Sequence, residues 1–238
     1  MTIFNIYSDQ LGEQQFDAIA KAIGSTRDQA IIGSSQIVPI LVSAMARNTR
    51  SEAGAKALSD KLDRDHDGSV LGKIPTLYAN PASCGADSDL TAILGSKRAE
   101  AEALVSKESG LSAGSTTKLF QITTSLVMGM IGLKKRHEKI SAQMTAQMLN
   151  TFAERHEREE SGEPEPEQNQ ASGFFSKIPG MGAIAGKIGG LGNIGGLLKG
   201  GNFSGIGNMI KGLLDKDKDG DVMDDIKGMA GGLFGGNK

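Results

Sequence analysis

Large apolar side chains recur at spacings of three and four over most of the first 156 positions, the period of helices buried along one stripe. Leu11, Phe16, Ile19 and Ile23 share a face over residues 9–24, where Gly24 offers a left-handed stop. Ser25 with Asp28 three residues on has the spacing of a capping box and predicts a second helix through Ala30 and Ile31. Gly33-Ser-Ser then predicts a break. The apolar run from Ile37 to Met45 predicts a separate helix with Pro39 in its first turn, the buried centre of an N-terminal lobe. Ser51 is placed to cap a further helix that carries Leu58 and Leu62 straight into an acidic loop.

Residues 75–88 are rich in turn formers and predict a connector. After it, Leu90, Ile93 and Leu94 mark a short helix, and residues 98–109 mark a charged one closed by Gly110. The strongest stripe covers residues 115–135 through Leu119, Ile122, Leu126, Met130 and Leu133, and a last one covers 138–156 through Ile140, Met144, Met148, Leu149 and Phe152. The fold class expected is all-α. Residues 1–74 form the N-terminal half of a multi-helix bundle and 75–156 its second half.

Residues 157–170 hold nothing apolar, and 157–172 reads as an acidic linker. The composition then shifts, with 20 of the 33 glycines lying in the 173–238 segment. Ile178, Met181, Ile184, Ile188, Leu191, Ile194 and Leu198 still keep helical spacing. Gly182, Gly186 and Gly190, then Gly192, Gly196 and Gly200, repeat as G-x-x-x-G. Each glycine costs a helix about 1 kcal/mol relative to alanine, so such helices form only against a close partner. A flexible tail and a conditional, self-associating pair of short helices are both compatible with this pattern. Phe174, Phe175, Phe203, Ile210, Leu213, Leu214 and Phe234 are more apolar surface than a monomer leaves in water, which favours assembly.

Composition narrows the picture. Aromatic residues make up 4% of the chain, with no Trp, so the core is built from Leu, Ile, Met and Ala, which suits close-packed helices better than a sandwich. A net charge of −2 gives no basic field for nucleic acid or an anionic membrane. A single cysteine, Cys84, excludes an intrachain disulfide and fits a reducing compartment. The start has neither a basic n-region nor an apolar h-region, and purely apolar runs are far below the ~20 residues of a membrane span. A cytoplasmic location is expected, with export by a route lacking a cleaved signal left open.

Two acidic stretches carry the only clustered chemistry. Asp215-Lys-Asp217-Lys-Asp219-Gly-Asp221 is followed by Asp224 and Asp225, and Asp63-Arg-Asp65-His-Asp67-Gly68 echoes it upstream. Carboxylates at one, three and five with glycine at six are the first half of an EF-hand loop, in which alternate side chains converge on one calcium ion. The second half departs from that pattern. Position twelve is Ile226 downstream and Ile74 upstream, where an EF-hand has a bidentate Glu, so the downstream loop has to close through Asp224 or Asp225. The expected cofactor is calcium, held at Asp215, Asp217, Asp219, Asp221, Asp224 and Asp225, and at Asp63, Asp65 and Asp67. With so few charged ligands the dissociation constant is expected on the order of 10⁻⁴ to 10⁻³ M. Ion-free turns, with Asp side chains bonded to nearby backbone N–H groups, are the competing reading.

The run Gly33-Ser-Ser-Gln-Ile-Val-Pro-Ile-Leu-Val, the stretch from Ala55 to Val70, Ile93-Leu-Gly-Ser, Ser109-Gly-Leu-Ser-Ala-Gly-Ser115 and Leu126-Val-Met-Gly-Met130 together resemble the YidB-like family of bacterial proteins, a domain of unknown function. The resemblance covers most of residues 10–135 and the acidic tail segment. It implies an all-helical fold with no established catalytic activity and brings no catalytic residues with it. Thr123-Thr-Ser-Leu126 departs from relatives, which often carry an Ala-Pro step there, and this predicts a straighter helix.

Other motifs fail on context. Gly190-Leu-Gly192-Asn-Ile-Gly195 spells G-x-G-x-x-G without a preceding strand. Gly110-Leu-Ser112-Ala-Gly114 spells a nucleophile elbow but follows a helix, so Ser112 or Ser115 is expected as an N-cap. His66, His137 and His156 lack metal-ligand spacing, and Cys84 has no visible base. No nucleophile, base and orienter can be assembled, so an enzyme is not expected. The function expected is a calcium-stabilised structural protein that forms a homo-oligomer or filament. The alternative is an adaptor whose helical lobe binds another protein and whose tail is a tether.

Overall fold

Helix ends in this chain are fixed by short-range chemistry that the sequence displays. The computed structural model describes residues 11–161; helix continues through 157–161, the first five positions expected as linker, and the rest of that linker, the Gly-rich segment and the Asp215–Asp225 run lie outside the described residues. Helix α1, Glu13–Ile23, starts after Gly12 at φ 74°, a conformation that ends any helix from further upstream. It stops at Gly24, left-handed at φ 70°, where the Ser25 N–H donates to the Ala20 carbonyl at 2.9 Å. Thr26, not Ser25, caps the next helix: its hydroxyl accepts from the Gln29 N–H at 3.2 Å and its own N–H donates to the Gln29 amide oxygen at 3.1 Å. Gln29 therefore takes the place expected for Asp28.

Helix α2, Arg27–Asn48, is the largest departure from the sequence reading. It runs unbroken through Gly33-Ser-Ser and holds Pro39 in its middle instead of its first turn. An internal proline costs a helix about 3 kcal/mol. The cost is met here because almost every side chain from Ala30 to Ala46 is buried, packed by elements on all sides. Gly33 is small for a packing reason: a Cβ there would stand 2.6 Å from Leu119 Cδ2 and 3.0 Å from Leu111 Cδ1. By length and composition α2 is apolar enough to cross a membrane, yet most of that stretch is packed inside the bundle.

Helix α3, Glu52–Asp65, is capped by Ser51, which accepts from the Gly54 N–H at 3.0 Å. The expected connector is itself partly helical, with α4 at Ile74–Ala79, which takes Pro75 in its first turn, and α5 at Ala86–Leu94. Helix α6, Arg98–Ser109, closes at left-handed Gly110. Helix α7, Ala113–Glu138, is capped by Ser112 on the Ser115 N–H at 3.1 Å. Helix α8, Ala142–Ser161, follows a three-residue link in which Lys139 is left-handed at φ 51°.

The described residues contain helices and no strand, the all-α bundle that the periodicity predicts. One apolar cluster joins both halves, from Leu11, Phe16 and Ile19 on α1 through Ile37, Ile40 and Leu41 on α2 to Leu119, Phe120 and Leu126 on α7 and Leu149 and Phe152 on α8. Met144, placed on the apolar stripe of the last helix by its spacing, is 53% exposed.

Candidate functional site

The upstream acidic run lies where α3 ends against α5 and α7. Asp63 and Asp65 are still helical, and two residues along a helix turn side chains about 200° apart, so their carboxylates diverge. The Asp63 carboxylate accepts from Lys135 Nζ of α7 at 2.6 Å through both oxygens. Asp65 takes Arg64 at 2.9 Å and Lys61 at 3.4 Å. Hydrogen bonds from Arg64 hold its carboxyl below the usual carboxylate range. Asp67 accepts from the Ser69 N–H at 2.9 Å, an Asx-turn, with Arg136 of α7 at 3.7 Å; hydrogen bonds with Ser69 lower its carboxyl as well. The structure does not bring these three carboxylates together, and among the described residues no group of three His, Cys, Asp or Glu could hold a metal ion.

What the run builds is a seat on α7. His66 ends α3, its N–H donating to the Leu62 carbonyl at 3.2 Å. Its own carbonyl lies so close to α7 that a Cβ at Gly132 would stand 1.7 Å from it. One turn earlier, a Cβ at Gly129 would meet Val70 Cγ1 at 2.5 Å. Gly68, at φ 90°, makes the turn between these two contacts and packs under Leu133.

Asp89 of α5 completes the arrangement from the other side. It is 2% exposed, with Lys61 Nζ at 2.7 Å from one oxygen and His66 Nε2 at 2.9 Å from the other. The Nε2 contact falls short of an aligned hydrogen bond. Burial pushes the Asp89 carboxyl up, but His66 and Lys61 together outweigh it and hold it below its ordinary value. The hydrogen bond to Asp89 raises Lys61. Nothing marked Asp89 by residue type. Its position did, since it precedes Leu90 and stands four residues before Ile93, on the face those side chains bury.

A second polar network ties α5, α6 and α7. Arg98 donates to Asp87 at 2.6 Å, Thr91 at 2.8 Å and Glu102 at 2.9 Å; Gln121 donates to Asp87 at 3.3 Å and Thr117 to Glu102 at 2.9 Å. Of the histidines, His137 lies in the basic last turn of α7, and burial pushes the His156 imidazole on α8 down to about 4. Cys84 ends a short 3₁₀ turn, Pro81–Cys84.

In comparisons with known proteins, no curated protein and no solved structure matched the chain. A family described as bacterial proteins of unknown function (DUF937) matches residues 6–134, more than half of the sequence and all of α1 to α6 together with most of α7. The chain belongs to this family, of which YidB is a member.

Proposed function

We propose that the protein is a non-enzymatic structural component that assembles with copies of itself, the helical body serving as the carried unit and the Gly-rich C-terminal sequence as the joint. The observation that carries this reading is how the body spends its polar groups. The Lys61–His66–Asp89 contacts, the Arg98 network and the Lys135–Asp63 pair are ties between helices, and Met144 is the large apolar side chain that stands well exposed among the described residues. Such a body offers little apolar surface for association, whereas the sequence beyond residue 172 is rich in large apolar residues.

Calcium is assigned to the downstream run alone. Six aspartates within Asp215–Asp225 repel one another until a divalent cation neutralises them, while Asp63, Asp65 and Asp67 already face basic side chains. At roughly 5 mM calcium and a dissociation constant of about 10⁻³ M, binding stabilises the folded form by about 1 kcal/mol. The test is a calcium titration of the full chain, following thermal midpoint and mass by light scattering. A midpoint rising by several degrees and a growing mass, both abolished by Asp217→Asn with Asp219→Asn and unaffected by Asp65→Asn, are expected; no change in either up to several millimolar overturns the reading.

A further inference from the structure

The link between α7 and α8 stands apart from the other connections. It consists of Lys139, Ile140 and Ser141, and Lys139 is the non-glycine residue at positive φ among the described residues. The position is a Schellman-type stop, with the Ile140 N–H donating to the Lys135 carbonyl at 3.1 Å, a place where glycine is favoured because a side chain crowds the left-handed backbone. The local signal for a turn is slight, a break between the stripes ending at 135 and beginning at 138 and Ser141, whose hydroxyl accepts from the Met144 N–H at 3.2 Å. Residues 133–161 contain neither glycine nor proline, so α7 and α8 could continue as one helix.

The turn is therefore imposed by where α8 docks. Adjacent in sequence, α7 and α8 hardly touch; α8 packs instead on α2 and α3 and gives Leu149, Phe152 and Ala153 to the core. Straightening the link would relieve Lys139 and break few contacts between the two helices themselves. It would carry α8 away from its own body and leave the apolar faces of α2, α3 and α8 open. A second copy in the same state offers the matching faces. Helix α8 also lies wholly beyond the residues that match the family.

We propose that α8 is exchanged between two copies of this chain, each donating its Ala142–Ser161 helix to the α2–α3 face of the other through a straightened Lys139–Ser141 link. Such an exchange is isologous, closes at two copies and uses only contacts the monomer already makes. It does not depend on the calcium-linked joint, and a chelator separates the two.

The test measures the mass of the full chain against concentration, in excess chelator, for the natural sequence and two variants. Lys139→Gly removes the left-handed penalty of the folded-back link and weakens the straightened helical one, at both links of the pair, and is expected to weaken dimerisation by several hundredfold, about 4 kcal/mol at 1.4 kcal/mol per tenfold. Deletion of Ile140 and Ser141 leaves α8 unable to fold back and is expected to give a dimer that persists on dilution, with helical content unchanged. A chelator-resistant dimer that responds in these two opposite directions supports the exchange. Absence of that dimer, its indifference to Lys139→Gly, or a shortened chain that stays monomeric with its α8 amides protected from hydrogen exchange overturns it.

Discussion

Asp89 shows what one buried carboxylate does in this fold. Its neighbours lower its proton affinity below the value of the unfolded chain, so its contribution to stability is full above the ordinary Asp value near 4 and is lost as pH falls through the lower, folded value. His156 acts in a different window. Its folded value of about 4 lies below the ordinary imidazole value near 6.5, so the unfolded chain takes up the proton first and stability falls between those two pH values as the solution is acidified. Denaturant midpoints measured from pH 7 to pH 3 should fall in two stages, with His156→Gln flattening the upper one and Asp89→Asn the lower one. At neutral pH Asp89→Asn should cost about 2 kcal/mol, below the full penalty for breaking a buried pair because Lys61, 26% exposed, can turn to water. Asp63, Asp65 and Asp67 were legible as a motif, and the partners of Asp65, Arg64 and Lys61, lie beside it in the sequence, but the spacing cannot reveal that Lys135 and Arg136, some 70 positions later, face Asp63 and Asp67.

At the scale of elements, the ends of helices were easier to read than their interiors. Gly24, Ser51, Gly110 and Ser112 act locally, through a backbone conformation or one hydroxyl, and stand where their residue types predict. Gly33 and Pro39 mislead because their usual roles as breakers are overridden by burial of α2 among several helices, a long-range effect absent from any window of sequence. The glycines of α7 follow the same logic. Gly132→Ala should destabilise the fold by about 3 kcal/mol or more, since its Cβ meets backbone that cannot turn aside, whereas Gly72→Ala, with nothing within 4 Å, should change the midpoint of unfolding little. Arg98→Ala should cost about 1–2 kcal/mol by freeing α5 and α6 from their shared partner, with faster hydrogen exchange across Ala86–Leu94 as its signature.

For the whole molecule, the apolar cluster reaching from Leu11 to Ala153 makes the two halves of the bundle one cooperative unit. A chain ending after Glu160 should unfold in a single transition with coincident circular dichroism and fluorescence-probe midpoints; two separated transitions would contradict the shared core. The all-α class was legible because it depends on a period repeated over many residues. The break before α8 was legible to within a few residues, but the packing of α8 across α2 and α3 was not, because it depends on which apolar stripes meet.

The central place of α2 also sets an order of events during synthesis. Its apolar stretch leaves the ribosome more than a hundred residues before the end of α8, the helix that covers one of its sides. At ~5–20 residues per second, that is a delay of roughly 6–20 s. During that interval the nascent chain presents Ile37 to Met45 with no finished bundle to receive them, so a cell making this protein quickly must shelter that segment or lose chains to aggregation before the last helix arrives.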